Sequence, residues 1–494
     1  MNSFPSTKTY YLVNLGCAKN QVDAEVMLNT LDLSGYSEAA EAEKADYIII
    51  NTCAFISEAK EQAINTVLEY RNAYPDKKVL VAGCFAQRYG QDLASLLPEV
   101  DGIFGNAEPS LVTDMLQRME TETMPVFMPL RSSFSAKSTA ESKTDLKSQE
   151  KANPGEKAKP YTDSGVSVSN QSAGHVPAAL KAPIRRKRML SFPNSAYVKI
   201  AEGCRNLCSF CAIPIIRGTV RSRSVEDVIS EIHFFLEQGI FEINLIAQDL
   251  AGFGTDRGES ELIRLLKNIS LIKGNFWIRL LYIHPDNFPY QLLDVCAEDQ
   301  RILPYFDLPF QHVSPRLLKK MNRKGSPETY LKLVRHIRGK LPGAVIRSTF
   351  LLGFPGENRT DRKMLKQFIA DAELNWVGFF EYSPEEGTPA RKIRRKPTEI
   401  GWKKRAGKFR RQLEQLQQQI TFERLDRFVG KTLKVLVEEE VPEENLVLGR
   451  AYIHAPEVDG LVVLHGEDIK PGQIVNARIT RRNSVDFVGV ALDG

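Results

Sequence analysis

The residues that could do chemistry are three cysteines in one short loop. Cys204, Cys208 and Cys211 follow the strand-like run Ala196 to Ile200 with the spacing C-x3-C-x2-C. Structural zinc sites and ordinary iron–sulfur clusters normally take four protein ligands. Three thiols without a fourth beside them therefore predict a metal centre with one coordination position open to a substrate. The alternative is a zinc knuckle that takes its fourth ligand from a distant His or Cys.

A second set of three cysteines lies near the N-terminus. Each closes a short β-rich run, and the three thiols are Cys17, Cys53 and Cys84. Helix-like segments, Asn20 to Ser34 and Ser57 to Ala73, lie between the runs, so the order strand, helix, strand, helix, strand predicts right-handed crossovers and a parallel sheet. The carboxyl ends of parallel strands lie on one edge, where ligands bind. The three thiols are therefore expected to converge on a second open site, although a lone Cys at a strand end is more often a small apolar packing residue.

Length and composition predict a multidomain protein with reduced thiols. At 494 residues the chain exceeds one ordinary core, so two to four domains are expected. It has no apparent signal segment and no apolar run of the roughly 18 residues that span a membrane, so we expect a cytoplasmic protein with no membrane partner. Seven cysteines, an odd number, favour ligation over a disulfide framework. Cys296, in QLLDVCAED, is expected to be a buried bystander.

From residue 195 the pattern alternates strand and helix six times. Six βα units predict an incomplete parallel (β/α)6 barrel whose chemistry lies at the strand C-termini. Ser224 and Asp227 are predicted to form the capping box of its first helix. The segment GFPGE, residues 353–357, ends the fifth strand. Polar residues that end other strands, each equally typical of a helix cap, are Gln248, Asp249, His284, Gln311 and His312.

The C-terminal part changes both pattern and charge. After Phe428, five short strands separated by turns predict a small β-barrel. This part holds seven Lys or Arg against eleven Asp or Glu, a net charge of −4. The run from Arg391 to Arg411 instead holds eleven Lys or Arg and one acidic residue. Such a run is typical of a solvated helix and equally of a surface that binds RNA phosphates.

These motifs resemble the radical S-adenosylmethionine (SAM) methylthiotransferases. The resemblance rests on GCAKNQVDAE at 16–25, NTCAFI at 51–56, AGCFAQR at 82–88, GRAYIHAPEVDGLV at 449–462, and the C-x3-C-x2-C loop. It departs from the family at His454, where an acidic residue is commoner. It implies a methylthiotransferase N-terminal domain at 8–122, a radical SAM core at 190–420 and an RNA- or protein-binding TRAM barrel at 423–494.

One segment falls outside the resemblance. Residues 131–187 are rich in Ser, Lys, Ala and Gly and have few large apolar side chains. Such a composition cannot repay the entropy of ordering, so the segment is predicted to be a disordered linker. Its basic end, Arg185 to Arg188, is interpreted as a solvated charge run, with contact to RNA as the alternative.

The resemblance also implies two 4Fe-4S clusters and SAM. The cluster on Cys204, Cys208 and Cys211 would bind SAM at its open iron and yield a 5′-deoxyadenosyl radical. The second cluster, on the N-terminal triad of Cys17, Cys53 and Cys84, would carry sulfur, methylated by a second SAM, to the substrate. A radical is needed because acid–base or nucleophilic catalysis cannot begin at an unactivated C–H bond. No amino acid is therefore expected to act as the catalyst itself.

Four further residues are expected near SAM on the same resemblance. Gln248 and Asp249 belong to the loop that lies near the SAM ribose and the substrate. Gly353 and Gly356 of the GFPGE segment are expected to let the backbone approach SAM closely. By itself, GFPGE would be an ordinary turn.

The substrate is predicted from two observations. The sequence Gly16-Cys17-Ala18-Lys19-Asn20 resembles the branch that modifies the β-carbon of an aspartate in the twelfth protein of the small ribosomal subunit, whereas the tRNA branch usually has Gly-Cys-Gln-Met-Asn. The −4 barrel also suits a basic protein better than an RNA backbone. A tRNA adenosine methylthiotransferase is the alternative, and a zinc-stabilised RNA-binding protein is the third hypothesis. A reductant, a sulfur donor and ribosomal RNA are further expected partners.

Overall fold

The computed structural model describes residues 8–129, 186–394, 400–465 and 468–492. The predicted linker at 131–187 lies outside the described residues except for Arg186 and Lys187. In chain order, the described residues form a parallel α/β sheet, an open parallel barrel and a small closed β-barrel. The predicted fold class is therefore confirmed. No helix within the described ranges is long and apolar enough to cross a membrane.

The N-terminal sheet has six parallel strands in the order β2-β1-β3-β4-β5-β6. The strands are β1 (Thr9–Asn14), β2 (Ser37–Glu38), β3 (Tyr47–Thr52), β4 (Lys78–Gly83), β5 (Gly102–Gly105) and β6 (Val126–Phe127). The helices are α1 (Ala18–Leu33), α2 (Ser57–Ala73), α3 (Cys84–Leu96) and α4 (Val112–Thr121). All six residues of β3 are buried, as expected of a parallel strand covered on both faces. Strands β1, β3 and β4 are neighbours, so their carboxyl ends lie side by side.

Helix α1 is buried on two sides. Twelve of its sixteen residues are buried, including the charged Asp23 and Glu25. Met27 packs on the N-terminal sheet, whereas Asp23 pairs with Lys199 of the open barrel and Glu25 pairs with Arg186. Buried charges need partners of opposite sign. Helix α1 is therefore the joint between the first sheet and the open barrel.

Arg186 corrects one expectation from the sequence. Its side chain is only 2% exposed, and besides Glu25 it pairs with Glu231 at 2.7 Å. The interpretation of Arg185 to Arg188 as a solvated or RNA-binding run is thus wrong for Arg186. Composition alone predicts that a run of charged residues is solvated. It does not show that Glu25 and Glu231 lie close enough in the fold to pair with one of these cations.

The open barrel consists of two three-stranded parallel sheets, β7-β10-β11 and β12-β13-β14. A bridge between Ile278 and Ile302 joins them at one edge. The strands are β7 (Ser195–Lys199), β10 (Glu242–Ile246), β11 (Trp277–Leu281), β12 (Tyr305–Asp307), β13 (Val345–Leu352) and β14 (Trp376–Glu381), with the short pair β8 (Ala201–Glu202) and β9 (Arg221–Ser222) beside them. The helices are α5 (Ile213–Ile216), α6 (Val225–Glu237), α7 (Leu262–Ser270), α8 (Leu292–Glu298), α9 (Pro315–Lys320), α10 (Pro327–Lys340) and α11 (Arg359–Ala372).

Side chains alternate along the barrel strands, as the pleat requires. In β7, Ala196 and Val198 pack in the core with the surrounding helices, whereas Tyr197 packs with the C-terminal barrel. Helix α6 begins at Ser224, whose hydroxyl accepts the Asp227 backbone N–H at 3.1 Å. The predicted capping box is only half formed, because the Asp227 carboxylate pairs with Arg223 at 2.6 Å instead.

The C-terminal barrel follows the long helix α12 (Trp402–Asp426). Its five strands are β15 (Thr432–Val441), β16 (Leu446–Ala451), β17 (Val462–His465), β18 (Ile474–Asn483) and β19 (Asp486–Ala491), closed in the order β15-β16-β17-β19-β18. Its core continues into the open barrel, where Trp277 and Trp376 join it. His454 is fully buried between the rings of Trp376 and Phe487, so it is a core residue and not part of a surface.

Candidate cluster-binding site

The loop between β8 and α5 holds Cys204, Cys208 and Cys211 close together. The Cys204 backbone N–H donates to Gly218 O at 3.1 Å, and the Cys211 N–H donates to Cys208 O at 3.0 Å. Burial raises the pKa of Cys204 to about 11 and also raises the pKa values of the other two thiols, and the mutual charges add to this for Cys204 and Cys211. Thiolates in this loop therefore need a bound cation to form at neutral pH.

Asp249 braces this loop from the end of β10. Its Oδ2 accepts from Asn206 Nδ2 at 2.7 Å, and the same Asn206 nitrogen lies 3.5 Å from Cys204 Sγ. Its Oδ1 accepts the backbone N–H groups of Ala251 at 3.1 Å and His284 at 3.0 Å. Both carboxylate oxygens are thus engaged within the protein, and Asp249 positions the cysteine loop.

His284 lies beside the same triad. Its Nε2 is 3.9 Å from Cys208 Sγ, and its Nδ1 accepts the Asp286 N–H at 3.3 Å. Burial, and then the charge of Arg323, lower the pKa of His284 to about 4. The ring is therefore neutral at pH 7, and its Nε2–H is directed toward the sulfur.

Within the part of the chain that the structure describes, the side-chain oxygen of Gln248 is an unused hydrogen-bond acceptor near the end of β10. Gln248 Nε2 donates to Glu202 Oε1 at 3.2 Å, while its Oε1 is buried and lacks a hydrogen-bond partner among the described residues. A buried acceptor without a donor is costly unless a ligand satisfies it. The predicted mouth residue His312 shares this feature, because its Nδ1 accepts the N–H groups of Val313 and Ser314 while its buried Nε2 lacks a hydrogen-bond partner among the described residues and lies 3.7 Å from Glu357 Oε1. Gln248 and His312 thus each have a buried polar atom to offer a ligand.

The residues that end the fourth and fifth strands mainly shape the backbone. Gln311 adopts a φ of 67° and bridges to Phe350 of β13. Gly353 has a φ of 74°, and a Cβ there would lie 2.8 Å from the Trp402 ring. Gly356 has a φ of 91°, and its carbonyl accepts from Arg316 at 2.8 Å. Packing against α12 therefore accounts for the glycine at position 353.

The N-terminal triad gathers at the carboxyl ends of β1, β3 and β4. Cys17 is the N-cap residue of α1, Cys53 follows β3, and Cys84 begins α3. Gly16 lets the first loop approach the second, since a Cβ at Gly16 would lie 3.3 Å from Cys53 Cβ. Exposure falls from Cys17, which is exposed, to Cys53, which is half-buried, and to Cys84, which is buried. The triad thus opens to solvent at Cys17.

Cys84 sits among polar side chains that the sequence did not single out. Its Sγ lies 3.2 Å from Asn106 Nδ2 and 3.3 Å from Arg217 Nη2, both donors, and the thiol donates to Asn20 Oδ1 at 3.2 Å. Burial raises the pKa of Cys84 to about 12, and the Arg217 charge opposes this rise. Asn106 and Arg217 are 22 and 133 residues from Cys84, so no local motif reveals their contacts with it.

The donor sets suit clusters better than single ions. Within the described part of the chain, no three His, Cys, Asp or Glu side chains come together closely enough to hold one metal ion. Two separate triads of thiols, each without a fourth cysteine, fit iron–sulfur clusters that keep one iron open. Cys296 is buried in α8, apart from both triads, as predicted.

A cavity of about 230 Å³ lies where the three parts of the chain meet. Cys17 lines it from the first domain, Tyr282, Asp307 and Arg347 line it from the open barrel, and Glu457 lines it from the C-terminal barrel. Its volume is below the roughly 300–1,000 Å³ of clefts that hold drug-sized ligands. The cavity therefore suits a single side chain of a larger substrate.

Lys19 adds a cation beside this cavity. Its Nζ lies 3.2 Å from the centre of the Tyr282 ring, a cation–π contact. Burial lowers the pKa of Lys19 to about 8. The Lys19 amine thus lies on the ring of Tyr282, one of the residues that line the cavity.

Family models match three separate parts of the chain. Residues 9–105 match Uncharacterized protein family UPF0004, residues 198–369 match the Radical SAM superfamily, and residues 429–492 match the TRAM domain. Among solved structures, the radical S-adenosylmethionine methyltransferase TsrM from Kitasatospora setae is 16% identical, with a TM-score of 0.49 over 79% of this chain and 76% of that one.

Curated relatives match along nearly the whole chain. Ribosomal protein uS12 methylthiotransferase RimO of Treponema denticola is 41% identical over 97% of this chain and 99% of its own length. The proteins of the same name from Carboxydothermus hydrogenoformans and Aquifex aeolicus are 36% and 37% identical, each over 97% of this chain and over 98% and 96% of their own lengths. The chain therefore belongs to the radical SAM methylthiotransferase family, in the branch named for ribosomal protein uS12.

Proposed function

We propose that this enzyme adds a methylthio group to the β-carbon of an aspartate in ribosomal protein uS12. The observation that carries the proposal is the identity of 33–41% with relatives of that name along nearly the full chain. The geometry supports it, because two thiol triads and a side-chain-sized cavity meet in one molecule. The tRNA adenosine alternative is not favoured, since the relatives compared here are named for uS12.

We assign a different cofactor role to each of the two cysteine triads. Cys204, Cys208 and Cys211 would hold a 4Fe-4S cluster with SAM at its open iron. When bound, this group supplies the one-electron chemistry that opens an unactivated C–H bond. The N-terminal triad would hold the second 4Fe-4S cluster, which brings the sulfur, with a second SAM as the methyl source. Cys17 is exposed and lines the cavity, so the open side of this triad faces the substrate.

Of the residues predicted to lie near SAM, one is assigned to direct contact and three to positioning the loops around it. We assign Gln248 to SAM or substrate contact, because its Oε1 is buried and lacks a partner among the described residues. Asp249 acts on SAM indirectly, through the Cys204 loop that it braces. Gly353 and Gly356 give the fifth strand its turn, and through that turn they would let the backbone approach SAM.

The partners follow from the substrate. A basic ribosomal protein matches the −4 charge of the C-terminal barrel. The basic run from Arg391 to Arg411 would contact ribosomal RNA near that protein. The reaction also needs a reductant and a sulfur donor, and a ribosomal substrate implies the cytoplasm. Residues 8–122, 190–420 and 423–494 are the three domains of this proposal. The predicted linker at 131–187 is shortened at its end, because Arg186 and Lys187 contact α1.

Iron content and the modified product test the proposal. Anaerobically reconstituted protein should hold about eight irons per chain, and about four after alanine replacement of either triad. Cys296→Ala, which removes a thiol outside both triads, should keep about eight. In a strain that lacks the gene, uS12 should lose one methylthio group by mass spectrometry, and neither triple variant should restore it. Four irons in the intact protein, or loss of methylthioadenosine from tRNA instead, would contradict the proposal.

A further inference from the structure

Arg217 reaches from one triad to the other. It lies six residues after Cys211, directly after the one-turn helix α5. Its side chain is nevertheless buried at the N-terminal triad, where Nη2 donates to Cys84 Sγ at 3.3 Å. The guanidinium of a residue just after the Cys204, Cys208 and Cys211 loop thus contacts Cys84 of the N-terminal triad.

The charges around Arg217 compensate each other. Its Nη1 donates to Glu202 at 2.6 Å, and its Nη2 donates to Asn20 Oδ1 at 2.8 Å and to Asp23 at 2.9 Å. The contact from Nη2 to Cys84 Sγ at 3.3 Å therefore shares an N–H group with one of these two acceptors. Lys199 pairs with the same two carboxylates, so two cations and two carboxylates form a group with no net charge. Arg217 acts on Cys84 through this shared N–H donor, and its removal would leave one uncompensated negative charge near the sulfur.

We propose that Arg217 is a positioning residue for the cluster of the N-terminal triad, where it stabilises the reduced state by its hydrogen bond to Cys84. This inference rests on the assignment of a second cluster made above. Hydrogen bonds to ligand sulfurs and local charge set the potentials of iron–sulfur clusters. Arg217 follows the loop that holds Cys204, Cys208 and Cys211. Through Arg217, this part of the chain would set the reduction potential of the cluster on Cys17, Cys53 and Cys84.

The chain offers a matched control in Arg186. Arg186 is also buried, also pairs with two carboxylates, Glu25 and Glu231, and also joins α1 to the open barrel. Arg186 contacts those carboxylates, Tyr197 O and the Phe235 ring, and none of its contacts within the described part of the chain is to a cysteine. A role in domain docking alone would therefore make both arginines equivalent.

The test uses the full chain with Cys204, Cys208 and Cys211 replaced by Ala, so that only the N-terminal triad binds iron. After reconstitution with iron and sulfide, the cluster is titrated reductively and followed by EPR. Arg217→Gln should lower the ratio of reduced to oxidised cluster at the parent midpoint at least tenfold, which is about 59 mV for a one-electron couple. Arg186→Gln should leave that midpoint unchanged. Arg217→Lys should lower it less, because it keeps the charge and loses the fork.

Other outcomes would contradict either the role of Arg217 or the second cluster. An unchanged midpoint in Arg217→Gln, or an equal fall in Arg186→Gln, overturns the role of Arg217. If Arg217→Gln does not fold, Arg217→Lys is measured in its place, and an unchanged midpoint there overturns the role as well. A parent chain that binds no iron contradicts the second cluster itself and the inference with it, whereas bound iron with an unshifted midpoint contradicts only the inference.

Discussion

Arg450 of the C-terminal barrel and Glu242 of the open barrel form a buried ion pair, with 2.6 Å between Nη2 and Oε2. Arg279 donates to the other oxygen of Glu242 at 2.8 Å, and Glu438 pairs with Arg450 at 2.6 Å. Burial raises the pKa of Glu242, but the two arginines outweigh it and lower the pKa to about 2. The two barrels are thus joined by charges that depend on each other.

Glu242→Gln should destabilise the junction between the barrels. It leaves two buried arginines without their shared carboxylate, and breaking a buried pair from one side typically costs about 3–5 kcal/mol. Chemical unfolding measures the loss, and limited proteolysis should release the C-terminal barrel. Glu440→Gln, which removes an exposed pair with Lys470, should cost no more than about 0.5 kcal/mol. Equal losses in the two variants would show that burial of the pair is unimportant.

Asp249→Ala should loosen the loop that holds Cys204, Cys208 and Cys211. It removes acceptors from Asn206, Ala251 and His284, and unsatisfied buried donors cost roughly 1–3 kcal/mol each. In protein whose N-terminal triad is replaced by Ala, iron release to a chelator should be about tenfold faster or more. Asp227→Ala, on the outer helix α6, is the control. Normal release with only a raised KM for SAM would make Asp249 a SAM ligand instead.

Arg347→Met should weaken binding of a uS12 peptide. Arg347 lines the cavity, and its ion pairs with Asp307 and Asp459, at 3.5 and 3.6 Å, are longer than good hydrogen bonds, so its fork can receive the target carboxylate. KM should rise about 10- to 100-fold while SAM cleavage without peptide persists. Wild-type enzyme should prefer an Asp peptide to its Asn analogue, and Arg347→Met should not. An unchanged preference would remove Arg347 from the recognition site.

Asp459 gives the fold a defined pH dependence. Burial raises the pKa of Asp459 to about 6, although Arg347 opposes the rise. Between roughly pH 4 and pH 6 the folded chain keeps a proton that the unfolded chain has lost. The contribution of Asp459 to stability is therefore largest below pH 4 and declines by about 3 kcal/mol as the pH rises to 6.

Asp459→Asn should remove this decline. The thermal midpoint of the wild type relative to that of Asp459→Asn should fall between pH 4 and pH 6 and stay level above that window. The comparison cancels other titrating groups, because they are common to both proteins. Midpoints that run parallel across the window would show that the Asp459 pKa is not raised.

Local patterns predicted most of the fold. The helix predicted at Ser57–Ala73 has those bounds, because Pro75 and the apolar spacing are local signals. Helix α1 begins two residues earlier than predicted, at Ala18, because the position of Cys17 as N-cap is set by the sheet edge. Closure of the C-terminal barrel was also predictable, since its five strands alternate and are separated by turns.

The surroundings of the site could not be predicted in the same way. Arg217 is 133 residues from Cys84, and their contact depends on how two domains dock. The requirement for glycine at position 353 comes from Trp402 of a distant helix. The family resemblance assigns Asp249 to the SAM loop, whereas its bonds to Asn206 and His284 depend on the folded structure. The SAM contacts and the cluster ligands remain predictions.

The two-sided burial of α1 has a consequence for synthesis. Glu25 must wait for Arg186, 161 residues later, and Asp23 must wait for Arg217, 194 residues later. At about 5–20 residues per second, the ribosome needs roughly 10–40 s to deliver these partners. The nascent N-terminal segment therefore leaves the ribosome before the residues that pack against the outer face of α1 have been synthesised. This face stays exposed to solvent until the barrel has been translated.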